Sequence, residues 1–277
     1  MPNKRGGSSG VSSVVAPAAA PVAATTPAPA PQPTLTPQQR LAQLRQNINS
    51  LSDFASLPYD DKMDLIDAAL KTPTPAGKPN TAFQKLSEYL GFDVTPPAVV
   101  TDAQLDAISG PDLYRTVNDR HGVTAVQMAT DTMRKTDTPF YSDSGGSMYG
   151  RGLYFTTSLS GSTIYGDTST SSRTIRAKLS PTAKVVKRSQ LNSDVNKALA
   201  GNNRFSRMLK NLPTADQESI VAAFKGYDAI SNHPGSSDNY HTIISRRALV
   251  FSSRIKGFPS TYGSRSWRGG SANINIV

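Results

Sequence analysis

Three short segments of this 277-residue chain carry the side chains best suited to chemistry. The first is Leu113-Tyr114-Arg115-Thr116-Val117, with an arginine inside an apolar strand pattern. Such an arginine is either a surface charge on a sheet edge or a planar fork held in a cleft for phosphate. The second runs from Tyr149 to Gly166, where Gly150 and Gly152 precede the strand-like Leu153-Tyr154-Phe155-Thr156-Thr157. Beyond it, Ser162 and Tyr165 stand three residues apart and share a face on a helical turn. A hydroxyl beside an aromatic ring suits a flat heteroaromatic amide, the ring stacking and the hydroxyl hydrogen-bonding. The plain alternative is a Gly/Ser/Thr-rich turn, since these glycines do not make a dinucleotide fingerprint ahead of a helix. The third segment is Gly226-Tyr227-Asp228-Ala229-Ile230 followed by Tyr240-His241-Thr242-Ile243-Ile244-Ser245-Arg246-Arg247-Ala248-Leu249-Val250-Phe251. On its own it reads as two strands.

The rest of the composition narrows the chemistry. Cysteine is absent, which excludes disulfides, thiolate metal sites and cysteine nucleophiles. Three scattered histidines, His121, His233 and His241, argue against a dedicated metal site. Glutamate occurs only at Glu88 and Glu218. The charge is uneven: residues 1–100 carry a net +1 and residues 101–277 a net +9. A basic body attracts polyanions, nucleic acid or acidic protein surfaces among them. No apolar stretch approaches the roughly 18 residues of a membrane span.

The elements that must position these residues follow from pattern. Residues 1–33 form an Ala/Pro/Ser arm too poor in apolar surface to fold, expected to be disordered and to act in export, packaging or docking. Residues 34–93 read as a small helical region, either packed on the body or a spacer. Thr36 and Pro37 open its first helix, and Leu41, Leu44, Ile48 and Leu51 recur at helical spacing. Further helices are expected over 60–70 and 81–90, the last closed by Gly91. From about 94 to 262, short strands alternate with turn-rich loops around one helical stretch at 189–225, an α+β pattern. Residues 263–277, with Trp267, read as a flexible tail.

In this order and spacing, the three segments resemble the ADP-ribosyltransferase superfamily, over residues 95–256. The resemblance implies a split β-sandwich of two small sheets around an NAD cleft, with NAD as substrate and no metal. Arg115, with Thr116 beside it, would contact phosphate and ribose. Gly152 would allow close approach, Tyr154 and Tyr165 would wall the nicotinamide, Phe155 would belong to the same cofactor-binding motif, and Ser162 would bond the carboxamide. Thr157 or Ser158 would support the strand. A late strand of the family usually brings a catalytic glutamate, and in this chain Arg247 falls at the expected position. An arginine there opposes an oxocarbenium-like charge. Asp228 is a stand-in acid or a structural aspartate. The implied activity is transfer of a single ADP-ribose to a host protein or nucleic acid, by an effector, toxin or phage virion protein delivered into a host cell. The arm at 1–33 would engage the virion or the secretion machinery. The alternative is an inactive relative serving as a binding or structural module.

Overall fold

The first helix begins where its cap residues require. The Thr36 side chain accepts from the Gln39 N–H while the Gln39 side chain accepts from the Thr36 N–H, and Pro37 fills the first helical position. The computed structural model describes residues 35–73, 81–91, 96–119, 122–134, 152–163, 172–231, 240–257 and 271–273. Helix α1 (Pro37–Gln46) is followed by α2 (Leu51–Ser56), α3 (Tyr59–Lys71) and α4 (Ala82–Leu90). Gly91, at φ 68°, closes α4 in the left-handed conformation that glycine adopts without strain.

The single helical stretch expected over 189–225 is three helices, α8 (Arg188–Ala200), α9 (Arg204–Lys210) and α10 (Thr214–Lys225). Asn203 restarts the chain by accepting the Ser206 N–H, and Pro213 precedes the third helix. These helices and α1–α4 share one core, in which Phe54, Met63 and Phe83 meet Leu191, Leu209 and Ile220. Region 34–93 is therefore no spacer, because half of that core comes from it.

Nine strands are described: β1 (Ala98–Val100), β2 (Leu113–Val117), β3 (Leu153–Thr156), β4 (Arg173–Leu179), β5 (Val185–Lys187), β6 (Ala229–Ser231), β7 (Tyr240–Ile243), β8 (Leu249–Gly257) and β9 (Ser271–Asn273). They form one mixed sheet in the order β1-β8-β4-β2-β3-β7-β6-β5, with β9 also on β8. The β1–β8 and β5–β6 pairs are parallel and the rest antiparallel. Where the resemblance implies two separate sheets, hydrogen bonding links every strand into one. The link between β2 and β3 is nevertheless a single residue pair, Tyr114 with Thr156. The sheet thus has a waist, with β1-β8-β4-β2 on one side and β3-β7-β6-β5 on the other. Within the tail expected at 263–277, residues 271–273 form β9, which pairs with Arg254, Ile255 and Lys256 of β8.

Short helices α5 (Asp102–Asp106), α6 (Ala125–Arg134) and α7 (Leu159–Thr163) lie between these strands in the chain. A second core joins Ala125, Ala129 and Met133 of α6 to Leu113, Phe155, Ile175 and Phe251. Phe155 and Phe251 meet at 6.2 Å between ring centroids. Neighbours on β6 are divided between the cores, Ala229 in the second and Ile230 in the first. Alternate residues of a strand point to opposite faces, so the cores cover opposite sides of the sheet.

Candidate functional site

The waist concentrates the polar chemistry. Along β2, Leu113, Arg115 and Val117 share one face, and both apolar members belong to the second core. Tyr114 and Thr116 point the other way. The β3 and β7 registers extend that second face: Tyr114 pairs with Thr156, Thr156 with Tyr240, and Tyr154 with Thr242. On the β4 side, Thr116 pairs with Thr174 and Tyr114 with Arg176. One face of the waist is consequently mostly apolar, with Arg115, His241 and Arg173 as its polar residues, while the other carries hydroxyls, tyrosine rings and Arg176.

Arg115 sits where β2 and β3 part. Its Nη1 donates to the Tyr154 carbonyl oxygen at 3.2 Å, crossing the gap that a longer ladder would have closed. Its Nε is buried without a hydrogen-bond partner. Among the described residues no carboxylate pairs with it, and burial alone pulls the guanidinium down to about 10. A buried cation without a counter-ion is costly, and an anion entering the wedge would relieve that cost.

On the opposite face a chain of hydroxyls ties three elements together. Thr174 Oγ1 and Thr116 Oγ1 are 3.1 Å apart, Thr116 Oγ1 and Ser162 Oγ are 3.1 Å apart, and Ser162 Oγ donates to the Leu159 carbonyl at 2.8 Å. Ser162 is only 2% exposed, Thr174 3% and Thr116 7%. Each hydroxyl has a single proton. With the Ser162 proton on the Leu159 oxygen, Thr116 must donate to Ser162 and Thr174 to Thr116.

The remaining expected site residues divide. Tyr154 is half-buried on the hydroxyl-rich face, and its carbonyl holds Arg115. Gly152 does allow a close approach, but by strand β7: a Cβ there would stand 2.6 Å from the Ile243 carbonyl oxygen and 2.6 Å from Thr242 Cγ2. Phe155 is a core residue, 1% exposed on the face opposite Tyr154. Ser158 caps α7, its Oγ accepting the Gly161 N–H at 3.0 Å and its carbonyl the Ser162 N–H at 3.0 Å. Thr157 is half-buried in the link between β3 and α7. Tyr165 lies outside the described residues. Arg115 and Ser162 are on opposite faces of the sheet, so the structure does not bring those two together, although it does join Thr116 to Ser162.

Arg247 needs a larger correction. It is exposed in a 3-10 turn, Arg246–Ala248, ahead of β8, and its charge is felt at Asp53 of α2. Five residues, 244–248, connect β7 to β8, and within them the Ala248 N–H closes on the Ser245 carbonyl at 3.1 Å. The late strand lying beside β3 is β7, and its residues on the Tyr154 face are Tyr240 and Thr242. No residue of β7 is an acid.

Neither Asp228, the expected stand-in acid, nor Glu218 lies in the waist. Glu218 is buried in α10, pushed up by desolvation and held by Arg188 at 2.7 Å. Asp228 is structural: its carboxylate accepts the Lys184 N–H at 2.9 Å and its carbonyl the Ile244 and Ser245 N–H groups. Burial raises its pKa against the opposing pull of the Lys184 N–H, the Lys184 charge and the Ser245 side chain. The carboxylate nearest the waist in sequence is Asp112, which accepts from the Tyr114 hydroxyl at 3.1 Å and from Arg176 at 2.8 Å. Thr174 and Tyr240 were not visible as site residues, because each gains its neighbours through sheet register, as Asp112 gains Arg176. Among the described residues no group of three metal-ligating side chains occurs. No helix among them is long and apolar enough to cross a membrane. Comparison with family models, with curated proteins and with solved structures returns no match to this chain.

Proposed function

We propose that this chain is an ADP-ribosyltransferase-like protein that binds NAD at the waist of its sheet and transfers ADP-ribose to a host protein or nucleic acid. The observation that carries the reading is Arg115, a half-buried arginine whose Nε is buried without a hydrogen-bond partner and which has no acid partner among the described residues, in the wedge between β2 and β3. A pyrophosphate supplies the missing counter-charge in the bidentate geometry that arginine favours. Tyr154, on the strand that bounds the wedge, meets Arg115 through its carbonyl oxygen, while its ring lies on the opposite, hydroxyl-rich face. In the reaction, the bond from the ribose anomeric carbon to the nicotinamide nitrogen breaks and nicotinamide leaves with the bonding electrons. An acceptor nucleophile forms the new bond and gives up its proton. The split fold, the arm at 1–33 engaging virion or secretion machinery, and delivery into a host cell belong to the same proposal.

A second reading, a module on the same fold that binds without transferring, is favoured by one observation. The strand beside β3 presents Tyr240 and Thr242 to the Tyr154 face, with no carboxylate to stabilise an oxocarbenium ion. Nicotinamide release from labelled NAD separates the two, run on wild type and Arg115→Ala with and without host lysate. Release that requires Arg115 and rises with lysate supports transfer. NAD binding by calorimetry without release supports the binding module, and no binding removes NAD from both.

A further inference from the structure

The chain Thr174–Thr116–Ser162 crosses from the start of β4 through β2 to α7 without a bond to Arg115. It nevertheless links α7 to β2 by a side-chain hydrogen bond, and it grips β2 at the residue after Arg115. Alternation along the strand means that fixing the Thr116 rotamer fixes the backbone from which Arg115 projects to the other face. The proton order is one-way, ending on the Leu159 carbonyl, so Ser162 has no proton left for a ligand. At 2% exposure, it has almost no surface for one either.

We infer that Ser162 is a positioning residue that acts through Thr116 together with Thr174, rather than the group that bonds the nicotinamide carboxamide. This rests on NAD binding at the waist. The hydroxyl chain locks α7 and β4 onto β2 and so holds Arg115 in register with the Tyr154 carbonyl. Thr174, on a strand with no other part in the site, becomes as important for ligand affinity as Ser162.

A double-mutant cycle on NAD affinity tests this, using calorimetry on the full-length chain and counting affinity per folded molecule. Ser162→Ala and Thr174→Val are each expected to weaken NAD binding about two- to tenfold, the range for losing one buried neutral hydrogen bond. Because both cut the same chain, the double variant is expected to bind no worse than the weaker single one. Thr174→Ser, which keeps the hydroxyl, is expected to retain wild-type affinity. Losses that multiply in the double variant would show Ser162 contacting the ligand independently and would overturn the inference. So would unchanged affinity in Thr174→Val, or equal losses in Thr174→Ser and Thr174→Val. A wild-type chain that does not bind NAD overturns the reading beneath it and the inference together, an outcome distinct from the other three.

Discussion

Replacing Gly152 with alanine puts a carbon where two atoms of β7 already are. The added Cβ would lie 2.6 Å from the Ile243 carbonyl oxygen and 2.6 Å from Thr242 Cγ2. Unstrained carbon contacts run at about 3.5–4.0 Å, so the Thr242 overlap is on the order of 1 Å. One of the two obstacles is backbone in a paired strand, which yields only if the β3–β7 register yields. Overpacking of this kind costs about 1–3 kcal/mol. Gly152 also has φ 154°, where a side chain adds strain of about 1–3 kcal/mol. Together these predict a loss of about 2–5 kcal/mol, a large share of the roughly 5–15 kcal/mol that holds a typical domain folded. At about 2–4 °C per kcal/mol for a chain of this size, Tm should fall by about 5–15 °C. Urea denaturation of wild type and Gly152→Ala measures the first quantity and calorimetry the second. If Gly152 instead makes room for a ligand, the variant keeps its stability and loses only NAD binding. A stability change under about 0.5 kcal/mol would refute the packing argument.

Other predictions follow from the same geometry. Arg115→Met removes a half-buried charge that lacks an acid partner among the described residues, so it should raise stability by about 1 kcal/mol or more while abolishing NAD binding; a destabilised variant that still binds NAD would contradict both halves. The Arg115 guanidinium is pulled down to about 10 in the fold, so the unfolded chain holds that proton to higher pH. Wild type should therefore gain stability over Arg115→Met as pH rises through 10, read from paired alkaline denaturation curves. Tyr240→Glu places a carboxylate on β7 opposite Thr156 and should raise nicotinamide release by about tenfold or more, whereas Arg247→Glu, in its exposed turn, should not; the reverse pattern would mean that Arg247 holds the catalytic position. Asp228 has its pKa raised by burial, so its contribution to stability is full below the ordinary aspartate value and is lost as pH rises through the folded value. The difference in Tm between wild type and Asp228→Asn should change in that window and be flat well above it.

Much of the fold was readable because local chemistry and tertiary role agree. The Thr36–Pro37 cap, the Gly91 stop and the strands around Arg115, Tyr154 and Ile175 all appear where their patterns put them. Helix α6 was missed: its Ala125, Ala129 and Met133 stripe has little apolar weight until the sheet beneath it is known. The turn at Arg246–Ala248 was read as strand because Leu249 onward is strongly strand-like and the boundary has no glycine or proline. In the site, sequence spacing picked out Arg115 and the Thr116–Ser162 neighbourhood but could not tell which face each residue takes. Phe155 and Tyr154 look equally fit to wall a ligand until alternation sends one into the core. The importance of Thr174 depends wholly on which strand pairs with β2, a fact of topology that no local pattern contains.

The shared core of α1–α4 and α8–α10 also has a consequence in time. The apolar faces of the first four helices leave the ribosome with only one another as partners, and the rest of their core is complete only at Ile244. At about 5–20 residues per second, synthesis takes on the order of 10 s to cover that interval. Through it Phe54, Met63 and Phe83 must be shielded by transient collapse or by a chaperone. A truncated chain ending before α8 would stay in that condition, and a fragment starting after α4 would expose the other half of the same surface. The helical region and the sheet that follows it are thus obliged to fold as one event, late, and from the whole chain.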